Sequence, residues 1–202
     1  MSRAVTITIA IAAIALLGAV LLAISMIRHG FSAADEPSAV EAFMARTMRR
    51  LAVPADLKDA QNPLPKTPEI IAEGMAHFAD HCATCHGNDG KGQTAMGPNF
   101  YPKVPDLTIS ATQSQSDGEL FAVIENGVRL TGMPSFGSGT AASAYGTWGL
   151  VHFIRHLPEL TPEELTRMEY LNPKSPAQWE QMQEETAFLS GDDVPAAPPH
   201  QH

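Results

Sequence analysis

Cys82-Ala83-Thr84-Cys85-His86 holds both cysteines of the chain, three positions apart, with a histidine directly after the second. Two thiols at that spacing can add across the two vinyl groups on one edge of a porphyrin. The next side chain then stands under the iron as a nitrogen ligand. Two other chemistries use paired thiols. A redox dithiol belongs in a βαβ setting, and no convincing strand alternation surrounds this pair. A zinc site built with His81 would crowd four ligands into six residues, with no second Cys pair to complete a tetrahedron. With both cysteines in this one motif, a disulfide scaffold is excluded.

The residues just before the motif read as a helix. Thr67-Pro68-Glu69 supplies a capping hydroxyl, a first-turn proline and an acid. Ile71, Met75, Phe78 and Cys82 then recur on one stripe, which puts the first thiol on the buried face near the helix end. A second helix is expected from Ser116, with Glu119 completing a capping box, to Gly127. A third is expected over about 142–157, stopped by Pro158. Between these two lies Gly132-Met133-Pro134-Ser135-Phe136-Gly137, a loop able to fold over a flat cofactor. Met133 is the candidate second axial ligand, a soft thioether that favours ferrous iron. Met96 is only ten residues past His86, a short reach around a ring. His152 and His156 lie on the third helix and read as surface or core residues. His77 and His81 stand four apart on the first helix and read as a solvated face.

The stretch from about Pro68 to Leu157 resembles a class I cytochrome c. Gly74 and Phe78 stand before Cys82 as in that family's first helix, where the glycine permits close crossing by the last helix. Cys82, Cys85 and His86 match its attachment motif. Gly97-Pro98-Asn99 matches the turn whose proline carbonyl accepts the ring N–H of the haem histidine, a bond that orients the ligand. Asn126-Gly127 and Gly132-Met133-Pro134 match the approach to the methionine ligand, and Trp148 with the apolar residues after it matches the last helix. The resemblance implies one covalently bound haem c, with Cys82 and Cys85 as attachment points and His86 and Met133 on the iron. Phe100, Leu107, Leu120, Phe121 and Leu130 are the expected pocket wall. Arg129, and less so Lys103, is expected near the haem propionates.

The flanks lie outside that pattern. Residues 4–27 are apolar or small apart from Thr6, Thr8 and Ser25. As a helix they would run roughly 36 Å, enough for a hydrocarbon core of about 30 Å. The run exceeds the apolar segment of a signal peptide, so an uncleaved anchor is expected, although Ser32-Ala33-Ala34 could be cut. Arg3 and Arg28 give little charge asymmetry for orientation. Attachment of haem to thiols outside the cytoplasmic membrane, which the resemblance implies, puts the domain on the periplasmic side of a single-pass inner-membrane protein. Val40, Phe43, Met44, Met48 and Leu51 recur at helical spacing, and their face is expected to pack on the domain. Pro54, Pro63, Pro65 and Pro68 mark a linker. Two helices over 161–170 and 175–189 are expected outside the core. A Gly-, Asp-, Ala- and Pro-rich tail follows, expected to be disordered; its His200 and His202 could bind a metal weakly.

The fold expected is all-α, a small haem-wrapping domain with an N-terminal transmembrane helix and a helical C-terminal extension. Its divisions are 1–34 anchor, 35–66 amphipathic helix and linker, 67–157 haem domain, 158–190 extension and 191–202 tail. The chain carries 13 basic and 22 acidic residues, a formal charge of −9. No basic stripe exists for nucleic acid, and an acidic face suits partners that present lysines. With both axial positions filled by protein, the expected role is one-electron transfer and not catalysis. The chain would carry electrons between a redox donor and acceptor at the membrane. A fixed subunit of a respiratory or dehydrogenase complex is the second expectation. A ligand-binding enzyme or sensor with a displaceable Met133 is the third.

Overall fold

A computed structural model describes residues 2–29 and 32–190, and among these it contains helices, turns and loops but no strand. The expected tail and its two histidines lie outside the described residues. Helix α1 (Arg3–His29) is followed by α2 (Ala39–Ala52), α3 (Ala55–Lys58) and α4 (Pro68–His81). The short α5 (Ala83–His86) and α6 (Ser110–Gln113) precede α7 (Asp117–Asn126), α8 (Ala141–His156), α9 (Pro162–Leu171) and α10 (Pro176–Ser190). Helix α1 is long and apolar enough to cross a membrane, and its described side chains are exposed.

Local chemistry sets the helix ends. Thr67 caps α4 by accepting from the Ile70 N–H, with Pro68 in the first turn. Ser116 and Glu119 cap α7 reciprocally, and Gly127 ends it at φ 65°. Thr140 caps α8, and a turn at Leu157–Glu159 containing Pro158 closes it.

The core forms where α4 crosses α8. A Cβ on Gly74 would sit 2.3 Å from the Gly149 carbonyl oxygen, so only hydrogen at this position lets the two backbones meet. The contact brings Phe78 and Phe153 together, ring centroids 5.2 Å apart, beside Leu150 and Val151. Each such side chain contributes roughly 1.5–3 kcal/mol on full burial. Helix α7 lies alongside, with Phe121 stacked on Trp148 at 4.2 Å. Arg155 fixes the far end of α8 to the start of α7. Its Nε and Nη2 donate to Asp117 Oδ1 at 3.0 and 2.9 Å, and Nη1 donates to the Gln113 carbonyl at 2.7 Å.

Two segments expected outside this core belong to it. Met168 of α9 is fully buried in the same cluster. With its side-chain amide oriented so that both ends find partners, Asn172 donates to the Met168 and Ala79 carbonyls at 2.9 and 3.2 Å. His156 Nε2 lies 2.8 Å from Glu164 Oε1, joining α8 to α9. The proline-marked linker is also fastened down. Val53 is buried, Asn62 Nδ2 donates to the Trp148 carbonyl at 2.8 Å, and His152 Nε2 lies 2.9 Å from the Leu64 carbonyl. The Asn62 side chain and the His152 side chain of α8 hold this segment, and such polar partners leave no periodic mark in a sequence.

Helix α2 departs from expectation in the opposite sense. Val40, Phe43, Met44, Met48 and Leu51 are all more than half exposed, so the stripe faces away from the domain. The side turned inward carries Ala42 and Arg49.

Candidate functional site

Cys82 is the residue at which α4 ends. Its N–H still donates to the Phe78 carbonyl, and α5 begins directly after it. Both cysteines are free and half-buried. Burial, and then the neighbouring Cys85, pushes the Cys82 thiol up to about 12. A thiol held protonated in this way is poorly suited to dithiol redox exchange, which runs through the thiolate. Among the described residues no three His, Cys, Asp or Glu side chains are placed to hold a metal ion together.

His86 closes α5, and Gly87 at φ 75° turns the chain away from it. The His86 carbonyl accepts from Gly92 N–H at 2.7 Å, which fixes the histidine backbone. Burial holds the imidazole below its ordinary pKa, so the ring is neutral with a lone pair available. The Pro105 carbonyl faces the ring and works in the opposite direction. Even so, Nδ1 is buried with no partner at hydrogen-bonding geometry. A buried nitrogen without a partner costs free energy, and the Pro105 carbonyl is the acceptor that faces it.

The expected role of Pro98 is not what the structure shows. The Pro98 carbonyl accepts from Lys103 Nζ at 2.6 Å. The turn Gly97–Asn99 leaves Pro98 exposed, and the chain returns toward the histidine only later, where Leu107 N–H donates to the Gly90 carbonyl at 2.8 Å. Pro105, two residues before the buried Leu107, is therefore the proline beside the ring. Lys103 is engaged elsewhere as well, donating to the Ala33 and Ala34 carbonyls at 3.1 and 2.8 Å.

Met133 is half-buried and packs against the core cluster that contains Phe78 and Leu120. Its loop is held by short-range bonds. Met133 N–H donates to Thr131 Oγ1 at 3.1 Å, and the Met133 carbonyl accepts from Val128 N–H at 3.1 Å. Phe136 and Gly137 N–H groups donate to the Ile124 and Glu125 carbonyls at 3.1 and 3.0 Å, fastening the loop to the end of α7. Gly127 permits this, because a Cβ there would lie 2.5 Å from the Pro134 carbonyl carbon. Gly132 lies against the Phe100 ring, with room for no Cβ, so Phe100 and the methionine loop meet.

The other expected wall residues divide. Leu107 and Leu120 enter the core, and Phe121 stacks on Trp148 at its edge. Leu130 takes no part in it, being 91% exposed at φ 62°, and Arg129 beside it is also exposed. Thr94 was not singled out by the sequence reading. Its hydroxyl donates to the Cys85 carbonyl at 3.2 Å and accepts from Gly97 N–H at 2.9 Å, bracing the loop beneath the motif. A lone threonine in a polar loop carries no sequence signal for this.

The donor set fits a haem. Two thiols stand at one helix end, with a neutral buried imidazole beside them and a thioether loop packed on the same core. Comparison with known proteins agrees. Residues 69–154 match the family model described as cytochrome c oxidase, cbb3-type, subunit III. A 37-residue stretch is 50% identical to the cbb3-type cytochrome c oxidase subunit FixP of Sinorhizobium medicae and 49% identical to that of Rhizobium meliloti. These stretches are 18% of this chain and only 13% of each relative's length. A solved structure, the Kuenenia stuttgartiensis reducing HAO-like protein complex Kustc0457/Kustc0458, aligns at TM-score 0.41 and 24% identity over 47% of this chain and 46% of that one.

Proposed function

Residues 69–154 form a c-type cytochrome domain of class I that binds haem c covalently and serves electron transfer, and from that premise we propose that this chain is a membrane-anchored carrier of single electrons. In this reading Cys82 and Cys85 would hold the haem through thioether links, and His86 and Met133 would ligate its iron. One observation carries it: the half-buried His86 ring lies 6.3 Å from that of Phe78, and the fastened Met133 loop packs on the core cluster to which Phe78 belongs. When bound, the haem supplies a one-electron ferric–ferrous couple. The chain does the rest. Burial keeps the His86 ring deprotonated for ligation, and the Gly92 N–H holds its backbone in place. The Met133 thioether favours the ferrous state. The bonds from Phe136 and Gly137 to α7 hold that side chain in one position through both oxidation states.

With both axial positions supplied by the protein, no substrate reaches the iron, and the chain is a carrier and not an enzyme. Helix α1 anchors it, with the haem domain on the periplasmic side of the cytoplasmic membrane. Donor and acceptor are redox proteins in or at that membrane. In this reading the haem domain runs on through α9, whose Met168 lies in its core. The reduced protein is expected to bind no carbon monoxide at neutral pH without denaturant. A shifted ferrous spectrum under carbon monoxide would turn the reading toward a ligand sensor. The names of the relatives favour a second role, a fixed subunit of an oxidase complex, in which the partner is permanent.

A further inference from the structure

Helix α2 presents its apolar side outward and its polar side to the protein it belongs to. Val40, Phe43, Met44, Met48 and Leu51 form a continuous stripe, each between 54% and 71% exposed. The opposite face is fastened to the haem domain. Ala42 and Arg49 are its half-buried positions, and Tyr101 and Glu119 lie near Glu41 and Arg49. At the two ends, Lys103 holds the Ala33 and Ala34 carbonyls, and Val53 is buried. Rolling the helix to hide its stripe would turn the half-buried Ala42 and Arg49 out to solvent. We infer that α2 lies on the phospholipid surface, with its apolar stripe among the acyl chains and the exposed Arg46 and Arg50 at anionic headgroups.

Two further observations select lipid as the occupant. Helix α1 ends at His29 and α2 starts at Ala39. The connection spans at most about 36 Å, so α2 is confined to the neighbourhood of the bilayer that α1 enters. Charge complements the same surface. Helix α2 carries Arg46, Arg49 and Arg50 against the single acid Glu41, whereas the chain as a whole has 13 basic and 22 acidic residues. A helix with large apolar residues on one face and arginines beside it lies in the interfacial plane. Guanidinium groups on long stems reach headgroups while the stripe stays buried. Because α2 is fixed to the haem domain, the whole domain is held against the membrane in one orientation. Partner access to the haem then depends on the face α2 leaves free.

The inference rests on α1 crossing the bilayer, and the test separates the two. Single nitroxide labels are placed at Met44→Cys, Met48→Cys, Leu17→Cys and Glu169→Cys in the full-length holoprotein. Each is reconstituted into phosphatidylcholine–phosphatidylglycerol vesicles. Unlabelled stoichiometry on the wild type checks that the native thiols are consumed. Collision rates with oxygen and with a water-soluble nickel chelate are read by power saturation. Labels at 44 and 48 are expected to collide several-fold more with oxygen than with nickel, with the reverse at the exposed Glu169 position. Nickel access at 44 and 48 equal to that at 169 would overturn the inference. So would protection from both reagents, or dipolar broadening between copies, which would assign the stripe to protein contact. A nickel-accessible label at 17 would instead overturn the anchor.

Discussion

At Gly74 a single hydrogen atom decides whether α4 and α8 can meet. The position a Cβ would take lies 2.3 Å from the Gly149 oxygen, while a Cβ on Gly149 finds nothing nearer than 3.9 Å. The two glycines face each other, yet their substitutions should act in opposite directions. Gly74→Ala must push the helices apart and should cost about 1–3 kcal/mol in denaturant unfolding of the holoprotein. Gly149→Ala should be neutral or should stabilise by up to about 1 kcal/mol, the helix-propensity gain. Equal losses from both would show that the crossing is not set by Gly74. At this scale much of the site is legible in the sequence. The CxxCH string, Gly74 and the Met133 loop all stand at fixed offsets in the chain. Pro98 misleads because three prolines, Pro98, Pro102 and Pro105, lie in the loop after His86. Spacing cannot tell which carbonyl returns to the ring; that depends on where the loop folds back at Leu107.

Among the elements, helix ends are legible where a side chain caps its own backbone. Thr67, the Ser116–Glu119 box and Pro158 each mark a boundary within a residue or so of the one observed. What an amphipathic face packs against is not legible, because periodicity reports that a face exists and not what covers it. Helix α2 shows the failure in one direction and α9 in the other. The α9 sequence is mostly polar, and only Met168 is fully buried. Glu164 joins α9 to α8 through His156. Burial raises the pKa of its carboxyl, but the Thr161 N–H and His156 outweigh this and hold it below the ordinary carboxylate range. A depressed acid contributes stability that is present above its unfolded pKa and is lost as the pH falls through its folded value. The wild type should therefore lose stability through this pair as acid falls below about pH 4.5, the ordinary carboxyl value. Glu164→Gln should lack that part of the acid dependence and lose about 1 kcal/mol or less at neutral pH, as suits a partly exposed pair. Unfolding curves taken across that range read the difference; a variant as acid-sensitive as the wild type would contradict the assignment.

For the whole molecule, two bodies of different chemistry share one chain. One is an apolar helix suited to lipid. The other is an acidic helical domain closed around a haem-binding core. In the proposed reading their combination would restrict diffusion to two dimensions and raise the local concentration of the carrier near membrane partners. A carrier that docks transiently should leave the membrane in mild detergent as a single chain with its haem. Co-purification with stoichiometric oxidase or dehydrogenase subunits would favour the fixed-subunit reading instead. The central claim is that His86 and Met133 together close the iron. The ferric absorption spectrum tests it most directly. The wild type should show the methionine-to-iron charge-transfer band, and Met133→Ala should lose it while its alkaline pyridine spectrum still reports haem c. A band that survives in Met133→Ala, or that is absent from the wild type, would contradict the account.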